Sequence, residues 1–282
     1  MKIFTWNIQW GRGCDGRVDF DRIAGVIRAA GAPDVLCLQE VAVNHPGLPG
    51  SRGEDQVAQL SARLPEYTAH YAIGSDLLGD GGSRRLFGNL IMSRLPVLQV
   101  FRHSLPWPAA PDRPNMPRVA VEAVVAATEG PLRVVTTHLE YYSLAQRRAQ
   151  MHGLRALLAE AAGHAGALRP DAGVDPPFKA APRPRAVVCC GDFNCAPDAP
   201  ELEAMLGNSG ARNPDFVDAW QVAHPGRPHA YTVGLHGCDW PDHPYCCDYF
   251  FVAAELASRI ADVAVDQRTD ASDHQPVVLT LR

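Results

Sequence analysis

The feature that most constrains this chain is a series of short apolar runs, each closed by a polar, chemistry-bearing residue. Lys2–Trp6 meets Asn7, Val35–Leu38 meets Gln39 and Glu40, and Leu90–Met92 follows Asn89. Leu132–Thr137 leads into His138 and Glu140, and Ala186–Cys190 leads into Gly191, Asp192 and Asn194. Asp248 opens the aromatic run Tyr249–Val252, and Asp273 and His274 precede the closing run Val277–Leu281. Runs this short and this rich in Val, Ile, Leu, Phe and Cys suit strands buried on both faces. Between them lie helical patterns. Asp19–Ala30 carries Phe20, Ile23, Ala24, Val26 and Ile27, then stops at Gly31 and Pro33. Glu54–Leu64 and Ser143–Ala162 repeat the pattern, the latter with Leu144, Met151, Leu154, Leu157 and Leu158 on one expected face. Alternating strands and helices predict an α/β protein with buried sheets.

The 282 residues are expected to form a single domain over 1–282, since α/β domains reach this size as one unit. Pro106–Pro117 and the Ala-, Pro- and Gly-rich stretch 163–184 are expected loops. With 46% hydrophobic and 20% charged residues the chain is not a disordered one. A net charge of −5 excludes a protein that coats nucleic acid through bulk positive charge, so any polyanion must be held locally. No basic n-region with an apolar stretch opens the sequence, and no apolar run reaches the ~20 residues of a spanning helix. The expectation is a cytoplasmic protein without a membrane partner. Of eight cysteines, Cys37, Cys189 and Cys190 sit in apolar runs. All eight are expected as reduced thiols; a zinc site between His236 and Cys247, or a disulfide such as Cys238–Cys246, are the lesser alternatives.

The residues that close the runs share a chemistry. Strand ends in layered α/β folds face a common rim where ligands bind. Glu40 and Asn7 offer hard oxygen ligands for Mg²⁺ or Mn²⁺. Asp192 and Asn194 are two apart, so on an extended segment they point the same way, toward one water or phosphate. His274 and Asp248 suit a base–orienter pair, the carboxylate fixing the tautomer and raising the imidazole pKa. His138, when protonated, suits donation to a phosphate oxygen. These roles describe metal-assisted hydrolysis of a phosphoester by activated water. Among aromatic residues near the expected rim, Trp10, Tyr141, Tyr142, Trp220 and Trp240 could stack on bases. Arg12, Arg84, Arg85 and Arg118 could meet flanking phosphates.

The stretches Thr5-Trp6-Asn7, Leu38-Gln39-Glu40-Val41, Gly88-Asn89-Leu90-Ile91-Met92-Ser93-Arg94, Thr137-His138-Leu139-Glu140, Gly191-Asp192-Phe193-Asn194, Asp248-Tyr249-Phe250-Phe251-Val252 and Ser272-Asp273-His274-Gln275-Pro276-Val277, in that order, resemble the endonuclease/exonuclease/phosphatase superfamily. The resemblance spans residues 3 to 281. It implies a four-layer α/β/β/α sandwich of two mixed sheets, as in deoxyribonuclease I. It implies Mg²⁺ held mainly by Glu40 with Asn7 and Asp273 near, and Asp192 orienting or deprotonating water with the help of Asn194. It further implies His274, paired with Asp248, on the scissile phosphate, with His138 and Asn89 supporting the phosphate or leaving group. Val41 after Glu40, and two cysteines before Asp248, depart from the apurinic endonuclease pattern and point toward tyrosyl-DNA phosphodiesterase-like and unassigned bacterial members. The expectation is a monomeric, metal-dependent phosphodiesterase acting on nucleic acid, DNA first. The alternatives are a phosphomonoesterase or lipid-headgroup phosphodiesterase on the same fold, and a binding protein that lost catalysis.

Overall fold

In the computed structural model, which describes residues 1–165, 175–179, 181–207, 215–238 and 240–282, the apolar runs pair into two six-stranded sheets. The strands are β1 (Lys2–Asn7), β2 (Val35–Val43), β3 (Thr68–Leu78), β4 (Arg84–Ser93), β5 (Val97–Ser104), β6 (Val119–Ala127), β7 (Gly130–His138), β8 (Val187–Asp192), β9 (Phe216–Asp218), β10 (Asp248–Ala253), β11 (Ile260–Val265) and β12 (Val277–Leu281). The helices are α1 (Phe20–Ala29), α2 (Gln56–Arg63), α3 (Leu144–Ala165), α4 (Glu203–Leu206) and α5 (Ala219–Ala223). The first sheet runs β11-β12-β1-β2-β4-β3 and the second β5-β6-β7-β8-β10-β9. Both are mixed: β1–β2 and β7–β8 are parallel, and their other pairings are antiparallel.

Three apolar clusters define four layers. Ile3, Val35, Cys37, Ile91, Val121, Val134, Val188 and Phe250 fill the space between the sheets. Phe4, Trp6, Leu36 and Leu38 point the other way and meet Ile23, Ile27 and Leu60 of α1 and α2. Val135, Val187, Cys189 and Phe251 meet Met151, Leu154 and Leu158 of α3. Burying each such side chain contributes roughly 1.5–3 kcal/mol, and the period-2 alternation sorts neighbouring residues into inner and outer cores. The expected α/β/β/α sandwich is what the chain forms.

Local signals hold the helices where the sequence placed them. The Asp19 carboxylate accepts from the backbone N–H of Asp21 and Arg22, capping α1, and Asp55 accepts from Ala58 N, capping α2. Three expectations need correction. On α3, Leu144 is exposed, whereas Met151, Leu154 and Leu158 are buried. The loop expected over 163–184 starts later: α3 continues through Ala165, a 3₁₀ turn covers Pro176–Phe178, and residues 166–174 and 180 lie outside the described set. The cysteines are not all reduced. Cys14 and Cys238, 224 residues apart, form a disulfide, while the remaining six are free and buried. Cys246 is free and belongs to the core beside α3, and Cys238 is taken by Cys14, so the Cys238–Cys246 pairing considered from sequence does not form. Among the described residues no helix is long and apolar enough to cross a membrane.

Candidate active site

Strand register decides the geometry. His138 pairs with Asp192 across β7–β8, and Asp192 pairs with Asp248 across β8–β10, so three site candidates stand at one level on adjacent strands. In the other sheet Asn7 pairs with Gln39 across β1–β2, which puts Glu40 one step beyond. There the β2–β4 ladder breaks between Leu38 and Val41, and Glu40 takes a left-handed backbone (φ 58°). Such irregularities re-aim side chains next to functional sites. Asn194 sits at φ 51°, just past the end of β8. Gly191 must be glycine: at φ 135° an added Cβ would lie 2.0 Å from the Thr137 carbonyl oxygen. That close approach of β7 and β8 brings His138 and Asp192 together.

Asp192 is the hub. Its Oδ2 lies 3.1 Å from Asn7 Nδ2, 3.4 Å from His138 Nε2 and 3.6 Å from His274 Nε2. Its Oδ1 accepts from the Asn194 backbone N–H at 2.9 Å. The Asn194 amide donates to His138 Nε2 and to the Leu139 carbonyl, both at 2.8 Å. The His274 Nδ1 meets Asp248 Oδ2 at 2.9 Å, the pairing expected from sequence. Burial pulls the His274 pKa down, but the Asp248 and Asp192 carboxylates outweigh it, and the ring is held well above the ordinary imidazole range. The two carboxylates therefore favour its protonated, imidazolium form.

His138 is the opposite. Burial, helped by the positive Arg118, lowers it to about 3. The expectation of a protonated His138 gives way to a neutral ring. With Nε2 accepting from Asn194, the network assigns the proton to Nδ1, 3.8 Å from Glu40 Oε1.

Glu40, Asn7 and Asp273 occupy the rim above the hub. Asn7 Nδ2 donates to Glu40 Oε1 at 3.2 Å, and Gln9 Nε2 donates to Asp273 Oδ2 at 2.7 Å. Burial and the neighbouring Asp273 charge raise Glu40 to about 7, and burial raises Asp273 as well. Clustered half-buried carboxylates with raised pKa values and few donors are a hard-oxygen set short of a cation, which fits Mg²⁺ or Mn²⁺. Asn7 enters this set through its amide N–H₂, bridging Glu40 to Asp192; its Oδ1 accepts from Gln9 N. Among the described residues a second group of possible ligands is Asp192, Cys247 and His274, all buried; of the segment His236–Cys247 considered for zinc it draws on Cys247 alone.

Asn89 is buried, and its Nδ2 donates to the Val119 carbonyl at 2.8 Å. It lines a cleft with Phe87, Met116, Arg118 and His138. The Arg118 Nε–H donates to Glu140 Oε2 at 3.3 Å, so its charge is already compensated. Tyr141 is half-exposed three residues beyond His138, with Tyr142 and Trp240 packed edge-on against it. Trp220 lies elsewhere, over His224 and His229 behind Asp248. Arg84 and Arg85 pair with Asp76 and Asp80 at the far tip of the β3–β4 hairpin. Trp10 donates to the Pro49 carbonyl.

Sequence reasoning missed the residues that hold these groups. Thr232 Oγ1–H donates to Asp248 Oδ2 at 2.6 Å. Ser272 Oγ–H reaches the Asn7 carbonyl at 2.7 Å and accepts from His274 N. Trp6 Nε1–H, in the core, donates to the His274 carbonyl at 2.8 Å. Ser272 and Trp6 sit inside motifs visible in the sequence; nothing there marks Thr232.

Comparison with known proteins accords with this geometry. A model of the Endonuclease/Exonuclease/phosphatase family matches residues 4–274. Comparison with curated proteins finds no match. Among solved structures, an endonuclease/exonuclease/phosphatase from Beutenbergia cavernae is 26% identical, with a TM-score of 0.67 over 100% of this chain and 71% of its own. A mannosyl-6-phosphatase from Bacteroides thetaiotaomicron is 13% identical, TM-score 0.69, covering 100% and 99%. A humanized D. rerio TDP2 is 21% identical, TM-score 0.63, covering 100% and 98%.

Proposed function

Since the chain belongs to the endonuclease/exonuclease/phosphatase family, a superfamily of phosphoester hydrolases, we propose that it is a divalent-metal-dependent phosphodiesterase, acting on nucleic acid or on processed DNA ends. The observation that carries the reading is the convergence on Asp192 of one imidazolium, one neutral imidazole and two amides, beside an acidic rim. An ion bound by Glu40 and Asp273 would polarise a phosphate oxygen and neutralise charge building on it.

The chain's own groups do the rest. Asp192, surrounded by donors, holds the attacking water and takes its proton, and Asn194 fixes the carboxylate through its backbone N–H. The His274 imidazolium donates to a non-bridging phosphate oxygen as charge accumulates, its tautomer set by Asp248. Neutral His138 offers one N–H, from Nδ1, to the phosphate or leaving group, and Asn89 faces the same cleft. The disulfide bears on where this happens. Such bonds persist in oxidising surroundings and are rare in the cytosol, so Cys14–Cys238 weighs against the cytoplasmic expectation.

A phosphomonoesterase is the second reading. What favours it is the pairing of the rim cations: Arg118 with Glu140 and Arg147 with Glu201 leave few charges for a long polyanion. A metal-supplemented panel of single-stranded DNA, abasic duplex, 5′-tyrosyl DNA, RNA, sugar phosphate and phosphoinositide decides between them. Hydrolysis of the DNA substrates, lost in Asp192→Asn and on chelation, supports the proposal. Turnover confined to monoesters would replace it with the second reading.

A further inference from the structure

One surface beside the site has no part in the chemistry above. Tyr141 follows His138 by three residues and keeps a third of its surface exposed; Trp240 and Tyr142 are more open still. The Tyr141 ring meets Trp240 at 4.7 Å with an interplanar angle of 75°, and Tyr142 at 4.8 Å and 78°. Trp240 also stands edge-on to Tyr245 at 6.2 Å. Edge-to-face contacts fix ring orientation while leaving faces open. Tyr245 and His274 both bridge to Val233, which sets Tyr245 between this group and the hub.

Two constraints hold these rings beside the reaction centre. The segment before Tyr141 is tied to the site by Leu139 N–H on the Asp192 carbonyl and by Asn194 on the Leu139 carbonyl. The segment carrying Trp240 is anchored two residues away by the Cys14–Cys238 disulfide. Cys14 is itself bound through its N–H to the Asp270 carbonyl, beside the Asp273–His274 turn. A surface that served only solubility would need neither.

We propose that Tyr141, Trp240 and Tyr245 form a stacking subsite for a nucleobase of the substrate, adjoining the phosphate held at Asp192 and His274. This rests on the phosphoesterase reading and names the group that the substrate carries next to its phosphate. Charge argues for a base and against a second phosphate here. Arg147 is spent on Glu201 and on the Glu140 and Tyr141 carbonyls, and Arg113 donates to the Tyr142 carbonyl. The ledge therefore offers π-faces, which every base can use whatever its sequence.

Two measurements test it. Tryptophan emission is titrated with deoxyadenosine 5′-monophosphate, with ribose 5-phosphate as the base-free control. The nucleotide quenches, the sugar phosphate does not, and Trp240→Phe removes the difference. This readout needs no turnover, so it stands even if the phosphodiesterase reading fails. For turnover, a dinucleotide is compared with its abasic analogue. Tyr141→Ala and Trp240→Ala lower kcat/KM about 10–100-fold for the dinucleotide, mainly through KM, and less than about threefold for the analogue. Trp240→Tyr restores most of the loss. Equal losses on both substrates, or quenching by ribose 5-phosphate equal to that by the nucleotide, would overturn the proposal.

Discussion

The two sheets are built alike and end differently. Each has a parallel pair, β1–β2 or β7–β8, flanked by antiparallel strands, and each presents its chemistry at the same edge. Asn7, Glu40 and Asn89 stand on β1, β2 and β4; His138, Asp192 and Asp248 stand on β7, β8 and β10. In both, the residue that leaves the middle of the array adopts a left-handed backbone: Glu40 in one, Asn194 in the other. At the first edge Glu40 meets Asp273 from the turn before β12; burial raises both pKa values, and the Asp273 charge adds to the rise at Glu40. The second pairs each charge with an opposite one or a donor. One half is thus short of a cation, and the other is complete without it. The lesson is that equivalent positions in a repeated framework take their role from neighbours in the facing layer.

The largest expected effect breaks the completed half. Asp192→Asn removes the hub carboxylate and should lower kcat by about 10³-fold or more with the fold intact. Circular dichroism with steady-state kinetics checks both parts. His274→Ala should cost about 10²–10³-fold, and Asp248→Asn, which loses the tautomer control, somewhat less. If Asp248→Asn matched wild type, the imidazolium assignment would fail.

Two carboxylates, half-buried Glu40 and buried Glu122, extend the contrast to stability. Glu40, raised to about 7 from an ordinary value near 4.5, favours its protonated form when folded. Its contribution is present at low pH and lost as pH rises through about 7. The metal-free Glu40→Gln variant should be more stable than wild type at pH 8, by up to about 3 kcal/mol, and equal to it at pH 4. Glu122 lies outside the site, at Arg133 and Arg183 on the second sheet. Burial opposes its charge, but His103, Arg133 and Arg183 lower it to about 2. Its stabilisation is therefore present above about pH 5 and lost as pH falls toward 2. Glu122→Gln should flatten acid unfolding in that window. Thermal denaturation at several pH values reads both, with opposite slopes expected. The smallest effect is at the disulfide: Cys14→Ser should lower Tm by a few degrees and raise KM without changing kcat much.

Much of the site was legible because strand ends in a layered fold must converge, and because Asn, Asp, Glu and His at those ends are poor choices for a buried strand. The parts that stayed hidden are contacts between segments with no common pattern. Strands β3, β5, β6, β9 and β11 went unread because edge strands alternate weakly with solvent, and β6, though buried, lacks a polar terminus. Thr232 is an ordinary threonine until Asp248 is folded against it. Arg118 looked like a phosphate ligand, yet Glu140 two positions past His138 had already claimed it. Cys14 and Cys238 meet only because the loop between β1 and α1 and the segment before β10 lie against one stretch, Cys14 through its N–H on the Asp270 carbonyl and His236 on the Gln267 carbonyl.

Which residues close the strands follows from the order of the amino acids, and with them the chemistry available: hard oxygens, two histidines and two amides in a fixed order. Tertiary structure decided their charge states. His138 and His274 are the same residue type at two strand-end motifs, but one is neutral and the other an imidazolium. Burial disfavours the charge on both. Only the carboxylates brought across from β8 and β10 overcome it for His274, while Arg118 reinforces it for His138.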